Sequence, residues 1–387
     1  MATATATAAS PPASMKAQCL DGFNKPYDFR EVPLPALTSP YDVLIKVDAA
    51  SFCHTDAVLA AGLMPPHPPS FPIIGCHEFV GTVVAVPDEQ STTTAVAAAS
   101  LRLFRPGERV AVCCNKYHVC GECDECRTDT GPTTDPPGFS TICPKGLVSG
   151  ISRDGGFAEY AVVDARQLIP IPEGMTPVQT APMMCAGVTI YAAIQKCALS
   201  PGQRIGIIGC GGGLGHLGLQ FAAKMGLEVY GVDNADEPLA LARGLNTGAR
   251  IVDARREDAD AVAREVGQRD GKQHRSEMGL DAVIILPESQ QAFDYGVTLL
   301  RNHGKCVVVS FPKAGFHLSS HDVVFRDIAV VGSLFGSRRQ AAEMLEFAAR
   351  HQVKAVTRTY PLSKLNDLVA EYHRGCGGKL VVDMSKQ

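Results

Sequence analysis

A run of glycines between an apolar strand and an amphipathic helix is the feature that most constrains how this chain folds. The apolar pattern RIGIIG ends at Gly209, and the helical pattern after it places Leu217, Phe221 and Met225 on one face. Glycines in such a loop let the backbone approach a pyrophosphate at the helix N-terminus, which predicts a dinucleotide-binding site. The loop residues concerned are Gly209, Gly211, Gly212, Gly213, Leu214 and Gly215.

The next strand pattern ends in an acidic residue, Asp233. A carboxylate about 20 residues after the glycine loop accepts hydrogen bonds from the adenosine ribose and repels a 2′-phosphate. The predicted cofactor is therefore NAD(H) rather than its 2′-phosphorylated form. The alternative interpretation is a tight glycine turn without a ligand, which the combination of strand, helix and acidic residue disfavours.

The length of the chain and a change in its pattern of apolar residues predict two domains. The chain has 387 residues, more than one hydrophobic core usually organises. Residues 16–174 show short β-rich runs broken by Pro and Gly, typical of a mostly β domain. Residues 175–336 alternate six nearly continuous apolar runs with helical segments, which predicts an α/β fold with a Rossmann-type doubly wound parallel sheet. Residues 337–387 are predicted to return to the first domain and leave a cleft between the two.

Composition disfavours several classes of protein. Hydrophobic residues make up 45% of the chain, charged residues 20%, and the net charge is −4, so nothing attracts it to nucleic acid or to an anionic membrane. No apolar run is long enough to span a bilayer. Residues 1–15 are expected to be a disordered tail of low complexity rather than a targeting signal. We therefore expect a soluble, cytoplasmic protein with small-molecule partners.

Six of the fourteen cysteines lie in one segment, residues 113–146, which is rich in Gly, Pro, Asp and Thr. Three of them follow the spacing C-x2-C-x2-C, and a fourth comes later. Four thiolates in such a lobe predict a closed tetrahedral structural zinc site, with free surface thiols or a redox pair as the alternative. The predicted ligands are Cys120, Cys123, Cys126 and Cys143, while Cys113 and Cys114 are interpreted as thiols without a metal role.

Two tetrapeptides offer ligands for a second metal ion. CHTD begins at Cys53, and GCHE contains His77 followed by Glu78. Each places a sulfur or imidazole ligand beside a carboxylate that can orient a metal-binding histidine. Taken singly, Cys53 could equally be an inert core thiol and His77 a buried histidine with satisfied hydrogen bonds.

These motifs occur together with a CAGVT segment and the glycine loop, and in this order the sequence resembles the zinc-dependent medium-chain alcohol dehydrogenases from Met15 to the C-terminus. The resemblance implies a GroES-like catalytic domain, one catalytic and one structural zinc ion, NAD(H), a homodimer or homotetramer, and interconversion of an alcohol with its aldehyde or ketone. The resemblance implies that Cys53, His77 and Cys185 bind the catalytic zinc, with the carboxylates of Asp56 and Glu78 behind them. It implies proton transfer by Thr55. It also implies that His54 and Arg338 contact the coenzyme phosphates and that Thr189 contacts the nicotinamide. For Arg338 a solvated arginine at a helix start is the alternative.

The sequence departs from this family pattern at the substrate end. Many relatives carry a histidine eight residues after the first zinc cysteine, where this chain has Ala61, so the proton needs another route. Relatives specialised for very small alcohols line the pocket with tryptophan, whereas this chain contains none, and Met64 and Asn115 fall near the matching places. We therefore expect a substrate bulkier than ethanol. Residues 87–100 and 127–142 are interpreted as surface insertions.

Two other functions stay open on the sequence alone. The same residues would serve a carbonyl or aldehyde reductase that works in the reducing direction. The change at Ala61 also allows a redox-inactive relative with a structural or ligand-sensing role, although a ligand set with an open position favours catalysis. Zinc content and turnover would separate these alternatives.

Overall fold

The computed structural model describes residues 11–64, 68–87, 104–113, 116–127, 140–375 and 377–386. The predictions for Cys114, for Asn115, for residues 1–10 of the tail and for most of the two insertions lie outside these ranges. The first strand begins at Ser14, two residues before the predicted start of the first domain.

The N-terminal region is built of short strands whose apolar side chains are buried together. Ile45, Val47, Phe79 and Val110 are among the residues of this core, because alternate positions on the strands face inward. Its strands are β1 (Ser14–Leu20), β2 (Tyr27–Pro33), β3 (Asp42–Ser51), β4 (Ile73–Ile74), β5 (Phe79–Ala85), β6 (Arg109–Val112), β7 (Lys116–Tyr117), β8 (Leu147–Val148), β9 (Tyr160–Asp164) and β10 (Leu168–Pro170), with the short helices α1 (His54–Ala60) and α2 (Asp124–Arg127).

The middle of the chain forms the predicted parallel sheet. Its elements are α3 (Pro177–Thr180), α4 (Ala186–Cys197), β11 (Arg204–Ile208), α5 (Gly215–Lys224), β12 (Glu228–Asp233), α6 (Asp236–Gly244), β13 (Arg250–Asp253), α7 (Ala259–Arg269), β14 (Leu280–Ile285), α8 (Gln290–Leu299), β15 (Leu300–Val308), α9 (Ser320–Phe325) and β16 (Ala329–Gly332). In the described residues six strands pair in the order β13-β12-β11-β14-β15-β16, all parallel. The order reverses beside β11, where such folds bind ligands, and the predicted Rossmann-type fold is confirmed.

The last part of the chain comprises α10 (Arg338–His351), β17 (Thr357–Tyr360), α11 (Leu365–His373) and β18 (Lys379–Asp383). Strand β18 pairs antiparallel with β3, with Val381 opposite Ser51, and parallel with β17. The resulting sheet has the order β10-β6-β5-β3-β18-β17, with β9 also paired to β3. The C-terminal strand thus lies within the first domain's sheet, between β3 and β17, and its first residue, Lys379, lies close to Glu78.

The helices are short or amphipathic. Within the described ranges, no helix combines the length and the apolar character needed to cross a bilayer.

Candidate active site

Three side chains that are remote in the sequence meet in space. Cys53 directly precedes α1, His77 follows β4, and Cys185 directly precedes α4. Their metal-binding atoms all lie within 4.8 Å of one another, and the two sulfur atoms are 4.0 Å apart. Cys53 and His77 are buried, and Cys185 is half-buried. The structure therefore brings together the three residues that the resemblance assigns to one metal ion.

The spacing of these atoms fits zinc. A tetrahedral zinc ion with Zn–S bonds of about 2.3 Å separates two sulfur ligands by about 3.8 Å, close to the 4.0 Å found between Cys53 and Cys185. The Nδ1 atom of His77 lies 3.8 Å from Oδ1 of Asp56, which leaves Nε2 to face the sulfur atoms. Three such ligands leave the fourth position free for a substrate, which is the pattern of a catalytic zinc site.

The three ligands form a charged group. Burial disfavours the imidazolium form, but negative charge at Cys185 and Cys53 outweighs burial and raises the pKa of His77. The hydrogen bond with Cys185 lowers the pKa of the Cys53 thiol, against the effect of burial. The site thus favours thiolates balanced by positive charge, and thiolate is the form of cysteine that binds metals.

Asp56 holds the ligands in place from behind. Its carboxylate, buried in the first turn of α1, accepts a hydrogen bond of 2.8 Å from the backbone amide of Cys53 and one of 3.1 Å from that of Cys76. Burial raises the pKa of Asp56 to about 6. Because Cys76 directly precedes His77, this one carboxylate fixes the segment that carries Cys53 relative to the segment that carries His77.

Cys76 itself has a left-handed backbone conformation, with φ +80°. Residues with a side chain rarely adopt this conformation. Neighbouring glycines pack directly on it: a Cβ at Gly150 would lie 2.4 Å, and one at Gly155 2.0 Å, from backbone atoms of Cys76. This close packing holds the strained residue and, with it, the orientation of His77. The sequence showed the unusual order of the GCHE motif but not this conformation.

Lys379 is a site residue that sequence analysis missed. Its ammonium group forms a buried ion pair with the carboxylate of Glu78 and donates to the carbonyl of Phe52 at 2.9 Å. Burial raises the pKa of Glu78 to about 8, and the charge of Lys379 opposes that rise. A Cβ at Gly213 would lie 3.1 Å from Cδ of Lys379, so this side chain connects the three ligands to the glycine loop. The signal in the sequence was a lysine heading an otherwise apolar strand.

His54 and Thr55 lie at the start of α1, next to Cys53. The Nδ1 atom of His54 is 2.7 Å from the hydroxyl oxygen of Tyr372, and Nε2 is 3.4 Å from a carboxylate oxygen of Glu288, which follows β14. His54 thus contacts both the C-terminal helix α11 and the parallel-sheet domain. The Oγ1 atom of Thr55 lies 3.7 Å from the sulfur of Cys53. Tyr372 and Glu288 were not singled out in the sequence.

The structure explains the individual glycines of the loop. Gly209 has φ +83°, and a Cβ at Gly211 would lie 2.1 Å from the carbonyl oxygen of Pro238. A Cβ at Gly215 would lie 2.1 Å from the carbonyl oxygen of Gly209. At Gly212 a Cβ would meet only the carbonyl oxygen of Gly209, at 3.5 Å, so there is room for a ligand to approach the backbone there. Sequence reasoning could not separate these roles because the loop is one residue longer than G-x-G-x-x-G.

Asp233 lies where the sequence predicted it, at the end of β12 beside the loop. One carboxylate oxygen accepts from the amide of Gly211 at 3.0 Å. It borders a cavity of about 220 Å³ that is also lined by Gly209, Arg255 and Tyr295. The cavity lies at the carboxyl ends of the parallel strands, where dinucleotides bind in this kind of sheet.

The two remaining coenzyme candidates differ in their surroundings. Thr189 is buried in the first turn of α4, four residues after Cys185, and its predicted contact with the nicotinamide stays a prediction. Arg338 is half-buried and donates two hydrogen bonds, of 3.0 and 3.1 Å, to the carbonyl of Leu168. It is therefore not simply a solvated helix-start arginine, and its predicted pairing with the pyrophosphate is untested.

The four-cysteine lobe also comes together. The sulfur atoms of its members lie within 4.8 Å of one another. Backbone amides point at two of them: the amide of Cys120 donates to the sulfur of Cys143, and that of Cys123 donates to the sulfur of Cys120, both at 3.4 Å. Such amide donors stabilise thiolates. The four residues, Cys120, Cys123, Cys126 and Cys143, thus have the arrangement expected of a closed metal site.

Family models and curated relatives agree with the family that the motifs indicated. Residues 39–173 match the alcohol dehydrogenase GroES-like domain, and residues 213–350 match the zinc-binding dehydrogenase domain. An alcohol dehydrogenase of Geobacillus stearothermophilus is 34% identical over 373 residues, covering 96% of this chain and all of that protein. One from Moraxella sp. (strain TAE123) is 33% identical, covering 95% of this chain and 99% of that protein. The crystal structure of the alcohol dehydrogenase from Aeropyrum pernix superposes with a TM-score of 0.79 at 27% identity, covering 95% of this chain and 99% of that chain.

The chain belongs to the zinc-dependent medium-chain alcohol dehydrogenase family, as its motifs indicated. It is an oxidoreductase of alcohols or carbonyl compounds, with a metal and a nicotinamide cofactor.

A buried histidine contacts the backbone of the glycine loop. His216, fully buried at the start of α5, lies with Nδ1 2.9 Å from the carbonyl oxygen of Gly212, while Nε2 accepts from the amide of Val356 at 3.1 Å. The two contacts require a neutral ring with the proton on Nδ1. Burial lowers the pKa of His216 to about 4.

We predict that protonation of His216 destabilises the protein in mild acid. The unfolded chain binds this proton below about pH 6.5 and the folded chain only below about pH 4, so the free energy of unfolding falls by about 3 kcal/mol across that interval. Urea unfolding of the wild type and of His216→Gln from pH 7.5 to 4 measures the difference, with His373→Gln, an exposed site, as the control. Parallel curves for wild type and His216→Gln would contradict the prediction.

Proposed function

We propose that this protein is a zinc-dependent, NAD(H)-using alcohol dehydrogenase that interconverts an alcohol and its aldehyde or ketone. The observation that supports the proposal most is the convergence of Cys53, His77 and Cys185 within 4.8 Å, with the side chain of Lys379 leading from this group to the glycine loop. In this proposal the three residues hold the catalytic zinc, and the four-cysteine lobe holds a second, structural zinc.

The proposed chemistry divides between the bound groups and the chain. A zinc ion at the three ligands would supply a Lewis acid for the substrate oxygen, and the nicotinamide would supply or accept the hydride. In this proposal the hydroxyl of Thr55, which lies 3.7 Å from the sulfur of Cys53, would exchange a proton with the substrate oxygen. Asp56 and the Glu78–Lys379 pair keep the ligands oriented. Ala61 offers no titratable group for the onward route of the proton.

The dinucleotide is proposed to lie across the carboxyl ends of the parallel strands. The open backbone at Gly212 would take the pyrophosphate at the start of α5, with His54 facing it from α1. The Asp233 carboxylate at the end of β12 would bind the adenosine ribose. A negative charge at that position supports NAD(H) as the cofactor.

Removing one catalytic ligand tests the proposal. We expect about two zinc ions per wild-type chain and about one in Cys185→Ala, with turnover reduced by about a thousandfold or more because the substrate oxygen loses its Lewis acid. Cys197→Ala is the control, since it removes a buried thiol from the other end of α4. Zinc is measured by mass spectrometry and activity by alcohol-dependent NADH formation. Full activity in Cys185→Ala would contradict the proposal.

Wild-type protein that holds both zinc ions and oxidises no alcohol and reduces no aldehyde or ketone would instead support a redox-inactive relative with a structural or ligand-sensing role. That result is the reason to include aldehydes, ketones and aromatic and allylic alcohols in the panel.

We propose a substrate bulkier than ethanol, because the chain has no tryptophan to narrow the pocket. In a series of primary alcohols, kcat/KM should rise with the number of carbon atoms in the alcohol. Each additional 1.4 kcal/mol of binding energy in the transition state raises kcat/KM about tenfold. A highest kcat/KM for ethanol would contradict this proposal.

We also propose that the protein is a homo-oligomer that pairs through the edge strand β16. Among the described residues, β16 pairs with a strand on one side only, and apolar side chains lie exposed along or near it: Val324, Phe325, Val330 and Leu334. Light scattering should give at least twice the mass of one chain for the wild type, and a lower mass for Val330→Lys. A monomeric wild type would contradict the proposal.

A further inference from the structure

The cavity beside Asp233 has a cationic wall that the chemistry described so far does not use. Arg255 lines it together with Asn234, Pro287 and Tyr295. At about 220 Å³ the cavity is smaller than the roughly 300 Å³ at which pockets for drug-sized ligands begin, so it suits one part of a dinucleotide rather than the whole.

The guanidinium of Arg255 is fixed in position by two carboxylates. Nε and Nη2 donate to the two oxygens of Asp253 at 2.9 and 2.8 Å, and Nη2 also donates to Asp236 at 2.6 Å. The bond to Arg255 lowers the pKa of Asp253 to about 2. A bidentate pair of this kind holds the guanidinium plane in a defined direction, whereas a lysine could not be held in the same way.

The strand pairing puts this group next to the ribose-binding carboxylate. Asp253 ends β13 and lies opposite Asp233 in the parallel register of β12 and β13. Asp236 starts α6 immediately after β12. In the described residues no acceptor bonds Nη1 of Arg255, and the side chain is 40% exposed and lines the cavity, so part of the guanidinium can reach a ligand there.

We propose that Arg255 binds the adenosine half of the coenzyme and acts with Asp233 as a determinant of coenzyme selection. The proposal rests on the proposed function. A guanidinium face stacks on a flat base, and the side chain carries a positive charge at the edge of the ribose site. With Asp233 present, a 2′-phosphate meets a carboxylate. Once Asp233 is replaced, Arg255 is the cation that a 2′-phosphate would pair with.

The neighbouring arginine provides a matched control. Arg256 also pairs with Asp253, at 3.4 Å, but it is 80% exposed and does not line the cavity. Arg255→Ala and Arg256→Ala therefore remove the same charge from the same carboxylate and differ in access to the ligand.

The first experiment measures dissociation constants by fluorescence and calorimetry for NADH, ADP-ribose and reduced nicotinamide mononucleotide, which lacks the adenosine. Arg255→Ala should weaken binding of NADH and of ADP-ribose by about fivefold and leave the mononucleotide unchanged. Arg256→Ala should match the wild type with all three. Equal dissociation constants for the two variants would overturn the proposal.

Melting temperatures check that both variants fold. The dissociation constants of Arg255→Lys, which keeps the charge but has no planar group, should lie between those of the wild type and of Arg255→Ala.

The second experiment measures the ratio of NADPH to NADH affinity in the Asp233→Ser background. The ratio should rise by about tenfold or more in Asp233→Ser and in Asp233→Ser/Arg256→Ala, and most of that gain should disappear in Asp233→Ser/Arg255→Ala. A full gain in the last variant would overturn the proposal. A wild type that binds neither NADH nor ADP-ribose would overturn the proposed function, and this inference with it.

Discussion

The close approach of two cysteine sulfurs and one imidazole is the constraint on which the rest of the site depends. Thiolates 4.0 Å apart repel each other, and burial strengthens that repulsion because water no longer screens it. Positive charge among the three ligands offsets this repulsion, and a divalent cation bound to all three would offset it most directly. Behind the ligands lie two carboxylates, Asp56 and Glu78, and the ammonium group of Lys379, which pairs with Glu78.

Two long-range features of the fold bring this charged group next to the glycine loop. Strand β18 enters the first domain's sheet beside β3, which places Lys379 against both Glu78 and Gly213. Helix α4 begins directly after Cys185 and packs in the same hydrophobic core as α5, the helix that starts at the loop. A substrate bound at the three ligands and a coenzyme bound at the loop would therefore be positioned by one connected core, which suits a reaction in which two carbon atoms must be held close together.

The sequence predicted those parts of the structure that depend on local pattern or on a complete set of motifs. The parallel sheet followed from continuous apolar runs, and Asp233 followed from its place at the end of a strand. Cys53, His77 and Cys185 could be grouped only through family resemblance, because no local spacing links them. Lys379, Glu288, Tyr372 and the left-handed Cys76 were missed since each owes its role to tertiary contacts: a buried lysine and a strained cysteine look ordinary in a sequence.

Crystallography of the purified protein at the zinc absorption edge tests the central claim most directly. An anomalous difference map should show one zinc ion bonded to the sulfurs of Cys53 and Cys185 at about 2.3 Å and to a ring nitrogen of His77 at about 2.0–2.1 Å, with its fourth position facing the coenzyme cleft. A map with no metal peak among these three residues, or with a zinc ion bound there by a fourth protein side chain that closes the site, would contradict the account.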